Sequence, residues 1–238
     1  MRASLSRGLK LLLNPARSLP TMPWSSQRAG WSWPRPVTLA VLLSGLWLFG
    51  IGEAGLINAR LGNTPWTVLA QGVAKHSPLD IGGATIAISV VVLLGWIPLR
   101  QVPGIGTVAN VVVIGLSLDV MRQVLPHPES VPARLLEAGL AILAVGVASA
   151  LYLTANLGPG PRDGWMTGIH RRTGYPIAWV RAAIEITVLV IGFGLGGTVG
   201  VATVAFALLV GYCLASTLRL FELAASRREE LSPRRAEP

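Results

Sequence analysis

The sequence predicts an all-α, polytopic membrane protein with six transmembrane helices arranged as two inverted three-helix repeats. Of its 238 residues, 52% are hydrophobic and 13% are charged, whereas about 25% of the residues in soluble domains are charged. The apolar residues form six stretches long enough to cross a bilayer as helices. A segment of about sixty residues also recurs 96 residues later without a gap. Because each copy belongs to a unit with three spans, we expect the second copy to lie upside down relative to the first.

The predicted elements follow one another in a simple order. The six spans are 37–58, 81–99, 104–120, 135–156, 177–195 and 200–218. They divide the chain into a basic N-terminal segment, a first repeat, a second repeat and a charged C-terminal tail, at 1–36, 37–126, 133–218 and 219–238. A hydrocarbon core of about 30 Å needs about 20 helical residues, so helices rather than strands are expected throughout.

A turn follows the first span of each repeat. The motif Leu61-Gly62-x-x-Pro65 returns 96 residues later, and glycine and proline at these places break a helix. The loops that begin there, 62–79 and 158–175, each contain a weakly amphipathic stretch. We expect either short interfacial helices or re-entrant segments, and neither changes the number of crossings.

The positive charge is concentrated at the two ends of the chain. The formal net charge is +9, and six basic residues precede the first span while five follow the last. If the N-terminus is cytoplasmic, the cytoplasmic segments hold fifteen basic residues and the external segments four. This bias predicts a multi-pass protein of the bacterial plasma membrane with both termini inside, in contact with anionic lipid headgroups. The same distribution argues against nucleic acid as a partner.

Three charged residues inside predicted spans are candidates for a solute or coupling site. Arg181 and Glu185 are four apart and share a helix face, so they form either a structural ion pair or a site that exchanges a proton or holds an anion. Glu53 either carries a proton in the protein interior, or reaches the external interface or pairs with Arg60. Asn110 is a candidate for an interhelical hydrogen bond.

The string from Leu157 to Gly164 adds two further candidates. Asp163 is placed to cap the short helix expected after the turn. Arg162 either binds an anionic substrate or a lipid phosphate, or simply follows the positive-inside rule. Loops related by a repeat are places where transporters build gates, which favours a functional role as much as a structural one.

Enzymatic chemistry has little support in the sequence. The single cysteine excludes an intrachain disulfide, and the three histidines do not have metal-ligand spacing. The glycines at 192–197 match a dinucleotide fingerprint, but they fall between two apolar spans without a βαβ unit. We therefore predict no catalytic residues, no metal and no cofactor.

Several strings resemble the YczE/YyaS/YitT family of bacterial membrane proteins, and its YczE-like branch most closely. They are Gly104-Ile-Gly-Thr-Val-Ala-Asn110 with Asp119, Gly158-Pro-Gly-Pro-Arg-Asp-Gly164, and Arg171-Arg-Thr-Gly174 followed by Arg181 and Glu185. The resemblance covers nearly all of 40–220 and implies a polytopic plasma-membrane protein. In the string that begins at Pro65, Thr67 stands where the family often has an aspartate.

Two functions remain open from the sequence. The first is a transporter or permease for a small solute, with a path between the repeats lined by Arg181, Glu185 and Glu53. The second is a non-transporting membrane scaffold or accessory factor, for example in secondary-metabolite production, which the resemblance also allows. A homo-oligomer is compatible with either function. A polar cavity between the repeats would favour the transporter.

Overall fold

A computed structural model describes residues 20–27 and 33–231 of the chain. Within these ranges every regular element is a helix, which confirms the predicted all-α class. The helices are α1 Pro36–Ala59, α2 Pro65–Lys75, α3 Ile81–Leu94, α4 Trp96–Leu99, α5 Ile105–Val124, α6 Val131–Ala155, α7 Pro161–Thr173, α8 Ile177–Gly194 and α9 Val201–Leu231.

Five helical segments of the described chain are long and apolar enough to cross a membrane. They are Pro36–Ala59, Ile81–Leu99, Ile105–Val124, Val131–Ala155 and Val201–Ser226. The remaining predicted span coincides with α8, an 18-residue helix that contains Arg181 and Glu185. This helix is not among the five, so its crossing of the membrane stays a prediction.

The last helix extends into the predicted C-terminal tail, and the predicted N-terminal segment is described only in part. α9 continues to Leu231, well into the predicted C-terminal tail, and Arg219 pairs with Glu222 on it at 2.8 Å. Most of the predicted basic N-terminal segment lies outside the described residues. Of the part that is described, Trp24 donates a hydrogen bond to the Thr154 hydroxyl on α6 at 3.2 Å.

Four helices of the second half each have one boundary that lies 96 residues after the corresponding boundary in the first half, the same interval as the sequence repeat. α1 and α6 each end in a left-handed residue, Arg60 and Asn156, which lie 96 positions apart. Two residues later the chain turns at Gly62 and Gly158, with φ of 109° and 115°, a conformation that favours glycine. These turns direct the chain into the short helices α2 and α7, each of which begins with a proline.

Each turn is bonded to the other half of the molecule. The Leu61 carbonyl accepts a hydrogen bond from the Ala202 amide at the start of α9, at 2.8 Å. The Leu157 carbonyl accepts the equivalent bond from the Gly106 amide at the start of α5, also at 2.8 Å. Leu61 and Leu157 are 96 residues apart, and so are Gly106 and Ala202. The same backbone hydrogen bond therefore joins each half of the chain to the other.

The core lies where α1 crosses α6. The close approach of α1 to α6 depends on Gly45 and Gly52 of α1, because a Cβ at either position would clash with α6. α5 packs on α1, and α9 packs on α6. The short helices α2 and α7 lie against α8 and α3 of the opposite half, which brings their N-terminal ends to the centre of the molecule.

Candidate functional site

A cavity of about 160 Å³ lies where the N-terminal ends of α2 and α7 meet the sides of α1, α5, α6, α8 and α9. We call it the central cavity. Its polar and charged lining includes Asn110, Tyr152, Arg162, Asp163, Arg181 and Glu185. Its apolar lining comes mainly from α1, α5, α6 and α9. The two short helices thus place charged side chains beside the apolar surfaces of the longer ones.

Arg162 and Trp66 make the contact that joins the two short helices. The guanidinium carbon of Arg162 lies 4.8 Å from the centroid of the Trp66 ring, within range of a cation–π interaction. Both are the second residue of their helix, and both line the cavity. No residue in the described part of the chain accepts a hydrogen bond from the guanidinium. Burial lowers the pKa of this group, and the negative charge of Glu53 opposes that shift.

Asp163 is held by a side chain from α6. Its Oδ2 accepts a hydrogen bond from the Tyr152 hydroxyl at 2.9 Å. Burial raises the pKa of the Asp163 carboxyl, and the Tyr152 hydrogen bond opposes the rise. The expectation that Asp163 caps α7 was wrong, because Pro161 starts the helix two residues earlier and Gly160 is the capping residue.

Arg181 and Glu185 form the predicted ion pair on α8. The Nε atom of Arg181 donates to Oε1 of Glu185 at 2.9 Å. The Arg181 side chain is 45% exposed, so the pair is not sealed inside the fold. The other guanidinium nitrogens of Arg181 make no hydrogen bond within the described residues, and they remain available to a ligand in the cavity.

Glu53 lies beside the cavity rather than in its lining. It is 1% exposed and accepts hydrogen bonds from Thr64 at 3.2 Å and from Thr67. Thr64 caps α2 and lines the cavity. Glu53 therefore supplies a carboxylate to the first turn of α2, as Asp163 does within the first turn of α7.

Asn110 projects from α5 into the cavity near the start of the short helix α7. A Cβ on Gly160 would stand 3.2 Å from its Nδ2 atom, which places the amide at the start of α7. The interhelical hydrogen bond expected for Asn110 is not formed among the described residues. The amide is therefore another polar group that faces the cavity without a protein partner.

Many lining positions are equivalent in the two repeats. Trp66 and Arg162 are 96 residues apart, and so are Phe49 and Val145, Thr64 and Gly160, Asn110 and Phe206, and Ile114 and Val210. Both members of each pair line the cavity. Both halves of the chain therefore contribute to the lining of the cavity.

The two sides of the cavity are not equivalent. α3 packs on α5 in the first half, where the Gly82 amide donates to Asp119 at 2.8 Å. A Cβ on Gly115 of α5 would lie 2.6 Å from Cγ1 of Ile86 on α3. α8 makes hardly any contact with α9 in the second half. Gly211, the equivalent of Gly115, has no atom of the described residues within 4 Å of its Cβ position and lines the cavity.

The cavity brings together five of the six residues singled out from the sequence. Asn110, Arg162, Asp163, Arg181 and Glu185 line it, and Glu53 lies next to it, bonded to Thr64. Two lining aromatic residues and two threonines bonded to Glu53 were not among the candidates. These are Trp66, Tyr152, Thr64 and Thr67. The repeat contained a signal for two of them, because Trp66 and Thr67 stand 96 positions before Arg162 and Asp163. No group of three metal-ligating side chains occurs within the described residues.

The sequence profile of the family described as "Family of unknown function (DUF6198)" matches residues 37–218. The chain belongs to the DUF6198 family. The matched region contains both repeats and every residue of the central cavity. It agrees closely with 40–220, the residues that resemble the YczE-like branch.

Relatives of this DUF6198 protein occur in distant bacteria. An "Uncharacterized protein" of Haemophilus influenzae is 44% identical over 73% of this chain and 80% of its own length. The "Uncharacterized membrane protein YczE" of Bacillus subtilis is 31% identical over 78% of this chain and 89% of its own. "Uncharacterized protein YyaS" of the same organism is 24% identical over 71% and 87%. The predicted YczE-like membership is confirmed, as is the membrane character. No solved structure matches the chain.

Proposed function

We propose that this DUF6198 protein moves a small solute across the bacterial plasma membrane, along a route between two inverted three-helix repeats. In this proposal α8 is the sixth span, both termini are cytoplasmic, and α2 and α7 are short helices that enter the membrane without crossing it. The central cavity is the solute-binding site. The observation that carries the proposal is the position of this charged cavity at the contact between the repeats.

Reciprocal contacts support a two-fold relation between the repeats. The Leu61 turn is bonded to α9 as the Leu157 turn is bonded to α5, and the equivalent residues Trp66 and Arg162 touch each other. Equivalent residues touch in this way where a two-fold axis passes between them. Since each repeat contributes three spans, that axis lies in the membrane plane and the second repeat is inverted.

The charges of the cavity favour transport over a purely structural role. Ionisable side chains among membrane spans cost several kcal/mol and usually face a protein interior or a solute path. A scaffold gains nothing from a cavity of about 160 Å³ lined by two arginines and two carboxylates. A binding site for a polar solute uses such a lining.

The difference between the α3–α5 side and the α8–α9 side of the cavity indicates how the site would open to each side of the membrane in turn. Transporters with inverted repeats expose a fixed site to one side and then to the other by exchanging the conformations of the two halves. Here the α3–α5 gap is closed and the α8–α9 gap is open. In the opposite state α8 would close on Gly211, as α3 closes on Gly115, and α3 would separate from α5.

Disulfide trapping tests this movement directly. Ala182 on α8 and Gly211 on α9 are the equivalents of Ile86 and Gly115, which are in close contact. In a Cys213→Ala background, which removes the single natural cysteine, we expect Ala182→Cys with Gly211→Cys to form a disulfide under mild oxidation in membranes. A disulfide requires Cα atoms within about 7 Å, so it forms only if α8 reaches α9. Each single-cysteine variant is the control.

Solute permeation into vesicles that contain the protein tests whether this movement is needed for transport. The double-cysteine variant is reconstituted and its permeability to butyrate, urea, glycerol and butylammonium is followed by light scattering after an osmotic step. We expect permeation of at least one solute in the reduced state and its loss after oxidation. If the disulfide never forms and the vesicles behave as empty ones for all four solutes, the transport proposal is wrong and a scaffold role is favoured.

A further inference from the structure

We propose that the central cavity binds a small carboxylate with a short apolar body, and that Arg162 and Arg181 are its direct ligands. The inference rests on the proposed function and names the class of solute. It follows from which polar groups of the cavity already have hydrogen-bond partners in the protein and which do not.

Each carboxylate of the site already accepts at least one hydrogen bond from a protein donor. Asp163 accepts from the Tyr152 hydroxyl at 2.9 Å. Glu185 accepts from Arg181 at 2.9 Å, and Glu53 accepts from the hydroxyls of two threonines. A cationic solute would therefore compete with existing partners for each carboxylate that it approached.

The donors of the site, by contrast, are in excess. Arg162 stacks on Trp66 and has no hydrogen-bond acceptor within the described residues. Arg181 uses only its Nε atom, and the Asn110 amide has no partner within the same ranges. A guanidinium carries five N–H donors in a planar fork, and the two oxygens of a carboxylate match that fork. A solute with a carboxylate would supply the acceptor that these donors lack among the described residues.

The rest of the lining indicates what is attached to that acceptor. Apolar side chains from the four longer helices face the same cavity, among them Phe49, Ile114, Val145, Phe206, Val210 and Leu214. The cavity measures about 160 Å³, and cavities of about 150 Å³ in other proteins hold a molecule the size of benzene. A ligand of about six non-hydrogen atoms fits that space, so butyrate is a suitable probe.

Thermal stabilisation of the full-length protein in lipid nanodiscs tests the proposal. Sodium butyrate is titrated at constant ionic strength, with sodium chloride, sodium phosphate, butylammonium chloride and butanol as matched probes. We expect butyrate to raise the melting temperature in a saturable way, because a ligand that binds only the folded state stabilises it. A response to chloride, phosphate, butylammonium or butanol that equals or exceeds the response to butyrate overturns the carboxylate assignment, as does the absence of any response.

Variants of the two arginines test whether these residues bind the butyrate. Arg162→Gln is expected to raise the apparent dissociation constant of butyrate about tenfold or more, the usual consequence of removing a charged hydrogen-bond donor. Arg181→Gln gives the same test at a partly exposed position, where folding is less at risk. Arg171→Gln, on the exposed end of α7, is the matched control and should bind as the wild type does. Equal butyrate affinity in all variants overturns the proposal.

The two proposals fail in different ways. If butyrate does not bind but the disulfide between positions 182 and 211 forms and blocks permeation, only the carboxylate assignment is wrong. If butyrate binds but the disulfide never forms and no solute permeates, the cavity is a ligand site in a protein that does not transport.

Discussion

Trp66 and Arg162 are separated by 96 residues in the chain, yet the guanidinium carbon of Arg162 lies 4.8 Å from the centroid of the Trp66 ring. They are equivalent positions of the two repeats. The proposed two-fold axis therefore passes between two unlike side chains, an aromatic ring and a cation. Because the sequence differs at the axis, the two sides of the cavity are chemically distinct even where the backbones match.

The first prediction concerns this contact. In a double-mutant cycle with Trp66→Leu and Arg162→Gln, we expect a coupling energy of about 0.5–2 kcal/mol, the range of a partly desolvated cation–π pair. The measurement is the free energy of unfolding of detergent-solubilised protein in denaturant. A control cycle with Trp179→Leu, whose side chain is 73% exposed, should be additive. Additivity in the Trp66 cycle would contradict the interaction.

Each short helix has one carboxylate at its first turn, but the two repeats supply it from different positions. Glu53 and Thr67 of the first repeat correspond to Ser149 and Asp163 of the second. In the first repeat the acid is on the long helix and the hydroxyl on the short helix. In the second repeat the arrangement is reversed. Glu53 therefore supplies the carboxylate at the first turn of α2, where Thr67 stands at the position equivalent to Asp163.

The second prediction tests whether the acidic residue beside α2 can be moved from position 53 on the long helix to position 67 on the short helix. Glu53→Ser should cost about 2 kcal/mol, because Thr64 and Thr67 lose a charged acceptor. Thr67→Asp alone should also destabilise the protein, because it places two carboxylates at one site. The double variant should be more stable than either single variant. Melting temperatures measure all three, with the exposed Glu129→Ser as the control. A double variant that is less stable than both single variants would contradict the idea that the acid can occupy either position.

The sequence predicted the features that depend on hydrophobicity and chain reversal. Long apolar stretches have one low-energy form in lipid, so the positions of the helices followed directly. The 96-residue interval predicted the positions of the turns, and the structure places Gly62 and Gly158 there with positive φ. The end of α9 was less predictable. Helix propensity remains high beyond the apolar span, so the helix continues after the residues cease to be hydrophobic.

The site was only partly predictable, because its partners come from different elements. Charges inside apolar spans are conspicuous, and five of the six candidates line the cavity. The hydrogen bond from Tyr152 to Asp163 and the burial of Glu53 depend on which helix faces which. That information enters only with packing. The unequal contacts at Gly115 and Gly211 could not be predicted either, since the sequence has glycine at both positions.

The third prediction uses these two glycines as a matched pair. Gly115→Ala should destabilise the protein by about 1–3 kcal/mol, because its Cβ would lie 2.6 Å from Ile86. Gly211→Ala should change stability by less than about 0.5 kcal/mol, because its Cβ position is open. If α8 must close on α9, the Gly211→Leu variant should fold but lose solute permeation. Equal destabilisation by the two alanine substitutions would contradict the observed asymmetry.

The fourth prediction concerns orientation, which decides whether the repeats are inverted. Ser77 follows the short helix α2 of the first repeat, and Thr173 is the last residue of the short helix α7 of the second. In the Cys213→Ala background, we expect an impermeant thiol reagent to label Ser77→Cys from outside the cell. Thr173→Cys should react only after the membrane is permeabilised. Ser226→Cys should also react only from inside if α8 is a sixth span, and from outside if it is not. The cysteine-free protein is the control for background labelling. Labelling of Ser77→Cys and Thr173→Cys from the same side would exclude an inverted repeat, because an odd number of spans between them must place them on opposite faces.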